Sequence, residues 1–298
     1  MRLTPFLLLK RACISGYRHQ CFGLAKGAAY SALLSLFPVL TTIVMFLLEA
    51  NAEAVARILA GLLFQAAPPG IEPLLRENFL PREGHPVALL VTFGLVSLFA
   101  ASGVMMSLMD GFRAAYGIPS GRTFFKQRAV AVLLVLCSAG PAVLASAIIL
   151  LGRRSESYLL GWLGLFSTGE QLRGWVKLLG EAVRYGVAAM TLVLVTSMLY
   201  YFGPNRSGRR WRNVLPGAFF ATAFWVIATS LFGWYVRDIA DYRFVYGSIA
   251  AVITFLVWAY VLSVIALLGC EFNAQRELAL EELSEGPGPL SQPEDDAS

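Results

Sequence analysis

One uninterrupted apolar run, from Tyr246 to Asn273, constrains the fold more than any other stretch of the chain. It reads YGSIAAVITFLVWAYVLSVIALLGCEFN, and Glu271 is its first carboxylate. The apolar part exceeds the roughly 20 residues that a membrane-spanning helix needs. Its hydroxyl and indole groups require other helices or a wet cavity, because lipid offers them no hydrogen bonds. The run therefore predicts one membrane helix within a bundle.

The composition agrees with a chain that lies in lipid. Its 298 residues are 57% hydrophobic and 14% charged, and the mean hydropathy is +0.64. A single water-soluble core could not bury that much apolar surface. The four cysteines form no CxxC pair, so neither a disulfide nor a thiolate metal site is expected. The apolar start, Met1 to Leu9, is too short for a cleaved signal peptide, and we expect it to be retained.

Apolar runs bounded by charged or turn-forming residues predict six membrane spans in an all-α, polytopic protein. Together they form a membrane domain over residues 27–273. The six predicted spans are 27–48, 87–109, 129–151, 183–203, 214–236 and 246–270.

The segments outside the spans predict amphipathic helices on the membrane surface. Residues 1–26 contain five basic residues and no acid, which is typical of a helix on an anionic leaflet. Two short surface helices are predicted within 51–85, and residues 153–180 are also amphipathic. Residues 274–298 predict an acidic tail in which the helix continues to Leu283 before a disordered end.

The distribution of Lys and Arg predicts the orientation. The three acid-free basic segments are residues 1–26, 113–128 and 203–213, and they alternate with segments of mixed charge. Basic loops stay in the cytoplasm, so both termini are predicted there.

Polar and aromatic residues on the predicted spans are candidates for lining a cavity or forming a site. Asp110, Arg113 and Glu271 are alternatively surface charges or helix-end ion pairs. Ser31, Ser35 and Pro38 are alternatively a structural kink, and Tyr246-Gly247 a close packing point. The full set of candidates is Tyr30, Ser31, Ser35, Pro38, Asp110, Arg113, Trp225, Tyr235, Tyr246, Gly247, Trp258, Glu271 and Asn273.

A short loop between predicted spans four and five carries four arginines without an acid: Arg206, Arg209, Arg210 and Arg212. These are interpreted as a topology signal, a lipid-headgroup contact or a nucleic-acid patch. The topology signal suffices alone, and we expect no nucleic-acid partner, because Trp211 is the loop's only aromatic residue.

The sequence does not favour an enzyme. Its two histidines, His19 and His85, are predicted on opposite faces of the membrane and cannot share a metal. There is no HExxH, no GxSxG and no phosphate-binding glycine loop. We therefore expect no catalytic residue, no metal and no cofactor.

Six stretches carry a resemblance to a known family. In chain order they read AAYSALLSLFP, AYGIPSGRTFFKQRAVAV, LYYFGPN, LPGAFFATAFW, YGSIAAVITFLVWAY and LLGCEFNAQ. From Ala28 to Gln275 the chain resembles the YihY/BrkB family of bacterial inner-membrane proteins. The resemblance implies six spans with both ends inside the cell. Members have been labelled ribonucleases, tied to serum resistance or proposed to export lipids or solutes. Two positions depart from the family, with Cys270 in place of Ala and Arg113 in place of Asn.

Three functions follow as hypotheses. The first is a transporter or flippase that moves an amphiphile, such as a lipid, along a cavity between spans one, two, five and six. The second is a scaffold that does not transport and that docks a partner protein through its surface helices or its acidic tail. The third is a membrane ribonuclease. The oligomeric state is left open.

Overall fold

Seven α-helices account for nearly all of the chain that the computed structural model describes, which is residues 5–49, 86–119, 122–162, 170–206, 210–238 and 249–285. These described ranges contain no β-strand. In chain order the helices are α1 (Pro5–Arg18), α2 (Cys21–Glu49), α3 (Pro86–Ala115), α4 (Phe124–Trp162), α5 (Glu170–Phe202), α6 (Trp211–Asp238) and α7 (Ala250–Glu285).

Six of these helices, α2 to α7, are long and apolar enough to cross a membrane. For the described residues this confirms the predicted all-α fold and the predicted six helices of membrane-spanning length and composition. The helices extend beyond the predicted spans: α2 begins at Cys21 instead of Gly27, and α7 continues to Glu285. The sequence predicts that continuation of the last helix to Leu283. The surface helices predicted within 51–85 lie outside the described residues.

Helix α1 is the amphipathic helix predicted near the start of the chain. It buries Leu8 and Ala12 and exposes Phe6 and Tyr17, and it packs against α7. Gln20 follows it in the left-handed conformation, at φ 57°, and the chain then turns into α2. The position of α1 on a membrane surface remains a prediction.

The six long helices form a closed circuit of contacts. Helices adjacent in the chain pack against each other from α2 to α7, and α7 packs in addition against α2, α3 and α1. Helix α7 therefore closes this ring of helices, because it packs against both α6 and α2. We call the end of the bundle that holds α1, the start of α2 and the end of α7 the N-terminal end.

Small residues permit close approach between the helices. Gly103, Ser107 and Gly111 follow one another at four-residue spacing on α3, and this row packs on its neighbours, with Gly103 against Ser31 and Gly111 against Leu267. The tightest crossing joins α6 and α7. A Cβ atom added at Gly217 would overlap the carbonyl oxygen of Gly269, so only glycine fits there.

Close packing in three helices is confined to the half nearest the N-terminal end. Among the described side chains, α4 buries none between 135 and 143, α5 none between 178 and 192, and α6 none between 223 and 236. Towards the N-terminal end the same helices bury Leu134, Val193 and Ala221. A helix inside a filled bundle keeps a buried stripe along its length. The bundle is thus closed at the N-terminal end and loosely packed at the other.

Candidate functional site

A cavity of about 720 Å³ lies at the N-terminal end of the bundle. Its walls are α1, the turn that follows α3 and the last part of α7, and Arg206 contributes from the loop after α5. Charged groups of both signs line it, among them Arg18, His19 and Glu277. The cavity therefore differs in place from the one expected between predicted spans one, two, five and six.

Glu271 lies next to this cavity but inside the protein. Its side chain is 0% exposed, so its interpretation as a surface charge is wrong. Its Oε1 accepts a hydrogen bond from Nδ1 of His19 at 2.7 Å, and the Sγ atom of Cys21 lies 3.6 Å away. The turn at Gln20 brings both residues to α7. The buried carboxylate of Glu271 thus links the junction of α1 and α2 to α7 through these contacts.

Arg206 is occupied by the acidic end of α7. Its Nη1 donates to Oε2 of Glu277 at 2.8 Å, and Glu281 lies 3.7 Å from its Nη2. The Glu277 side chain is only 8% exposed. Arg206 is thus paired with acids from a distant part of the sequence, and none of its three interpretations included such a pair.

The other arginines of that loop differ from Arg206. Arg210 and Arg212 are exposed, and Arg209 lies outside the described residues. Trp211 stacks near Tyr201, with ring centroids 4.9 Å apart. The loop therefore combines one arginine that is paired with the end of α7 and two exposed arginines for which the structure shows no ion pair.

Asn273 is fully buried and joins α7 to α6. Its Oδ1 accepts from the backbone N–H of Gly217 at 2.7 Å, and its Nδ2 donates to the carbonyl of Val214 at 2.9 Å. Pro216 lies between these two residues and has no N–H, so it interrupts the hydrogen bonds of α6. The amide of Asn273 bonds to backbone groups on both sides of that interruption.

Asp110 and Arg113 form the helix-end ion pair that was one of the two alternatives for them. Nη2 of Arg113 donates to Oδ1 of Asp110 at 2.5 Å. Gln127 on α4 completes the cluster, because it accepts from Arg113 at 3.0 Å and donates to Asp110 at 2.8 Å. Arg122, in the loop between the two helices, donates to the carbonyl of Phe202 at 3.1 Å. Burial, with the positive charge of Arg113, lowers the pKa of Arg122.

The candidates in the first span do not converge on one site. Tyr30 is 59% exposed, whereas Ser31 faces Gly103 of α3. Ser35 is buried and donates to the carbonyl of Ala32, so it does not satisfy the carbonyl of Leu34 that Pro38 leaves free. Their positions agree better with helix packing than with a binding site.

The aromatic candidates also lie apart from the cavity. Nε1 of Trp225 donates to the carbonyl of Leu262 at 2.8 Å and so joins α6 to α7. Tyr235 is exposed near the other end of α6, and Trp258 is half-buried on α7. The Tyr246-Gly247 pair lies outside the described residues.

Three residues that were not among the predicted site candidates hold the N-terminal end together: His19, Gln127 and Tyr200. The side chain of Tyr200 is fully buried, and its hydroxyl donates to the carbonyl of Ala266 at 2.6 Å. Gln127 and Tyr200 stand within the stretches KQRAVAV and LYYFGPN, and that position was the available signal. Within the described ranges, no three His, Cys, Asp or Glu side chains come together as a metal ion would require.

A family model described as virulence factor BrkB matches residues 16–291. The chain belongs to the BrkB family. The match covers α2 to α7 entirely and most of the residues around the cavity. No solved structure matches the chain.

Membrane proteins of several bacteria are similar to this member of the BrkB family. A protein of Bacillus subtilis named as ribonuclease-like, YfkH, is 32% identical over 85% of this chain and 89% of its own length. A UPF0761 membrane protein of Alkalilimnicola ehrlichii is 30% identical over 86% of this chain and 55% of its own. Another, of Chromobacterium violaceum, is 28% identical over 62% and 41%. The chain thus spans only about half of these two relatives.

Proposed function

We propose that this protein moves an amphiphile, such as a lipid, across the bacterial inner membrane as a transporter or flippase. The observation that carries the proposal is the uneven packing of the bundle. The N-terminal end is closed by buried contacts, whereas the far halves of α4, α5 and α6 have no buried side chain among the residues described there. An apolar chain can enter laterally from the bilayer into the space between loosely packed apolar helices.

Substitutions on the face of α6 that packs against its neighbouring helices test the proposed transport. This face includes Trp225 and Ala228, which are half-buried against the core, while Ala223 is exposed on the same helix. Purified protein in liposomes should speed the transbilayer movement of a fluorescent phospholipid, and Ala228→Trp should slow it by filling the space at this face. Ala223→Trp is the matched control and should transport normally. Absence of acceleration across a panel of phospholipids would reject the proposal.

A scaffold that docks a partner protein is the second candidate. The exposed aromatic residues Phe6 and Tyr17 of α1 support it, although such side chains also suit a membrane interface. The acidic end of α7 is less suited to docking, because Glu277 and Glu281 are paired with Arg206. Co-purification of a stoichiometric partner, together with absence of lipid movement, would favour the scaffold.

We propose that the protein is not a ribonuclease, in spite of the name of its relative in Bacillus subtilis. The exposed Arg210 and Arg212 offer contacts to phosphates but no acid–base pair. RNA cleavage that persists in homogeneous protein and weakens in Arg210→Ala would contradict this.

A further inference from the structure

Glu271 combines burial with incomplete hydrogen bonding. Its side chain is fully buried, and its Oε2 has no hydrogen-bond partner among the described residues. Desolvation penalises a carboxylate far more than a neutral carboxyl group. Oε2 is therefore a buried oxygen atom that receives no hydrogen bond from the part of the chain that the structure describes.

His19 connects this carboxyl group to water. Its Nδ1 lies 2.7 Å from Oε1 of Glu271 and 3.3 Å from the hydroxyl oxygen of Ser15. The rest of the ring is accessible, because the side chain is 35% exposed and lines the cavity. Its Nε2 makes no hydrogen bond with a described residue. With the Nδ1 proton donated to Glu271, Nε2 is free to accept a proton from the cavity.

The other charged groups at the N-terminal end either form ion pairs with one another or have no described ion pair. Asp110 and Arg113 bind each other and Gln127, and Arg206 binds Glu277. Arg11 lies 3.7 Å from Glu282. The basic groups without a described ion pair are Lys10, Arg18, Lys26, Arg122, Lys126, Arg128, Arg210, Arg212 and, on the same helix as Glu271, Arg276. Among described titratable groups, only His19 and the thiol of Cys21 contact the Glu271 carboxyl group.

We propose that Glu271 and His19 form a proton-binding site that is filled from the cavity, and that protonation of this site is coupled to transport. The second clause rests on the function proposed above. A hydronium ion that reaches the cavity gives a proton to Nε2 of His19 and becomes water, and the imidazolium passes its Nδ1 proton to Oε1 of Glu271. His19 ends neutral with its proton on Nε2, and the carboxylate becomes a carboxyl group.

The consequence concerns the closed end of the bundle. The ionised carboxylate accepts a charge-assisted hydrogen bond that holds the α1–α2 junction to α7, and protonation weakens it. Because α7 also contacts α3 and α6, release at this point loosens the end that is closed in the structure. Proton uptake would then favour access from the N-terminal end.

Infrared difference spectra of the full chain in lipid, recorded between alkaline and acidic buffer, test the site directly. A carboxyl C=O band should appear on acidification and should be lost in Glu271→Gln, which keeps the shape and an acceptor for His19. Glu282→Gln is the matched control, since Glu282 lines the same cavity but is exposed, and it should keep the band. In His19→Asn the C=O band should remain, but the carboxyl proton should exchange more slowly with deuterium, which is measured as a slower shift of the band in deuterated water. Thermal unfolding verifies that each variant folds.

The outcomes separate the two proposals. A band that survives Glu271→Gln, or an exchange rate that His19→Asn leaves unchanged, overturns the proton-binding site. Lipid movement in liposomes that keeps the same pH dependence in Glu271→Gln overturns the coupling alone. If no lipid moves at any pH while the band behaves as expected, the proposed transport fails and the site stands.

Discussion

Single charged residues at the N-terminal end are arranged as pairs that join distant parts of the chain. Arg206 and Glu277 are 71 residues apart, and the carboxylate is nearly buried while the guanidinium is half exposed. Removing the arginine takes a charged donor away from a desolvated carboxylate, and such a loss costs more than the pair contributes when intact.

The change Arg206→Gln should therefore destabilise the protein by about 1–3 kcal/mol. Thermal unfolding of the purified protein in detergent measures this. Arg210→Gln is the matched control, because Arg210 is exposed in the same loop and should leave stability unchanged. Equal effects of the two changes would show that the pair contributes nothing, and a reversal of topology in Arg206→Gln would favour its interpretation as a topology signal.

At the scale of the helices, the crossing of α6 and α7 determines how closely the bundle can pack. Gly217 and Gly269 face each other there, and Asn273 bonds to α6 beside them. Lipid provides no hydrophobic force between helices, so close contact and hydrogen bonds must hold such a crossing.

The change Gly217→Ala should force the two backbones apart and lower stability by about 1–3 kcal/mol. Gly233→Ala, on the same helix, is the control, since nothing lies within 4 Å of its added Cβ. That control should be neutral or slightly stabilising, because alanine favours a helix over glycine. Unfolding temperatures of the two variants give the comparison, and an unaffected Gly217→Ala would disprove the close approach.

The sequence predicts the helices well and their partners poorly, for a physical reason. Hydrocarbon imposes a run of apolar residues on every span, and this signal is local. The bond between His19 and Glu271 joins residues 252 apart, and no local pattern records such a pair. The Gly103–Gly111 row did indicate close packing, because small residues at four-residue spacing have few other uses in a membrane helix. It could not indicate which helix would approach.

At the scale of the whole molecule, α1 and the end of α7 lie at the same end of the bundle, as an even number of spans requires. Which side of the membrane holds that end is a prediction from the basic loops. Cys13, an exposed thiol on α1, is a natural reporter of it.

A membrane-impermeant maleimide should label Cys13 in inside-out vesicles and not in sealed right-side-out vesicles. Cys13→Ser should abolish the labelling, because Cys21 and Cys270 are buried and Cys137 lies within the span of α4. Labelling only from the outer face would reverse the orientation and would place the cavity outside the cytoplasm.

The contacts of α7 also have a consequence for how the protein is made. A ribosome makes this helix after the other five spans, yet α2, α3 and α6 all pack on it. Until it is inserted, the N–H of Gly217 and the carbonyl of Val214 lack the amide that bonds to them. The bundle therefore cannot close until α7 has been made, and the five earlier spans remain in the bilayer until then with their small-residue faces uncovered. Premature termination ahead of Ala250 would leave a chain that inserts but does not close.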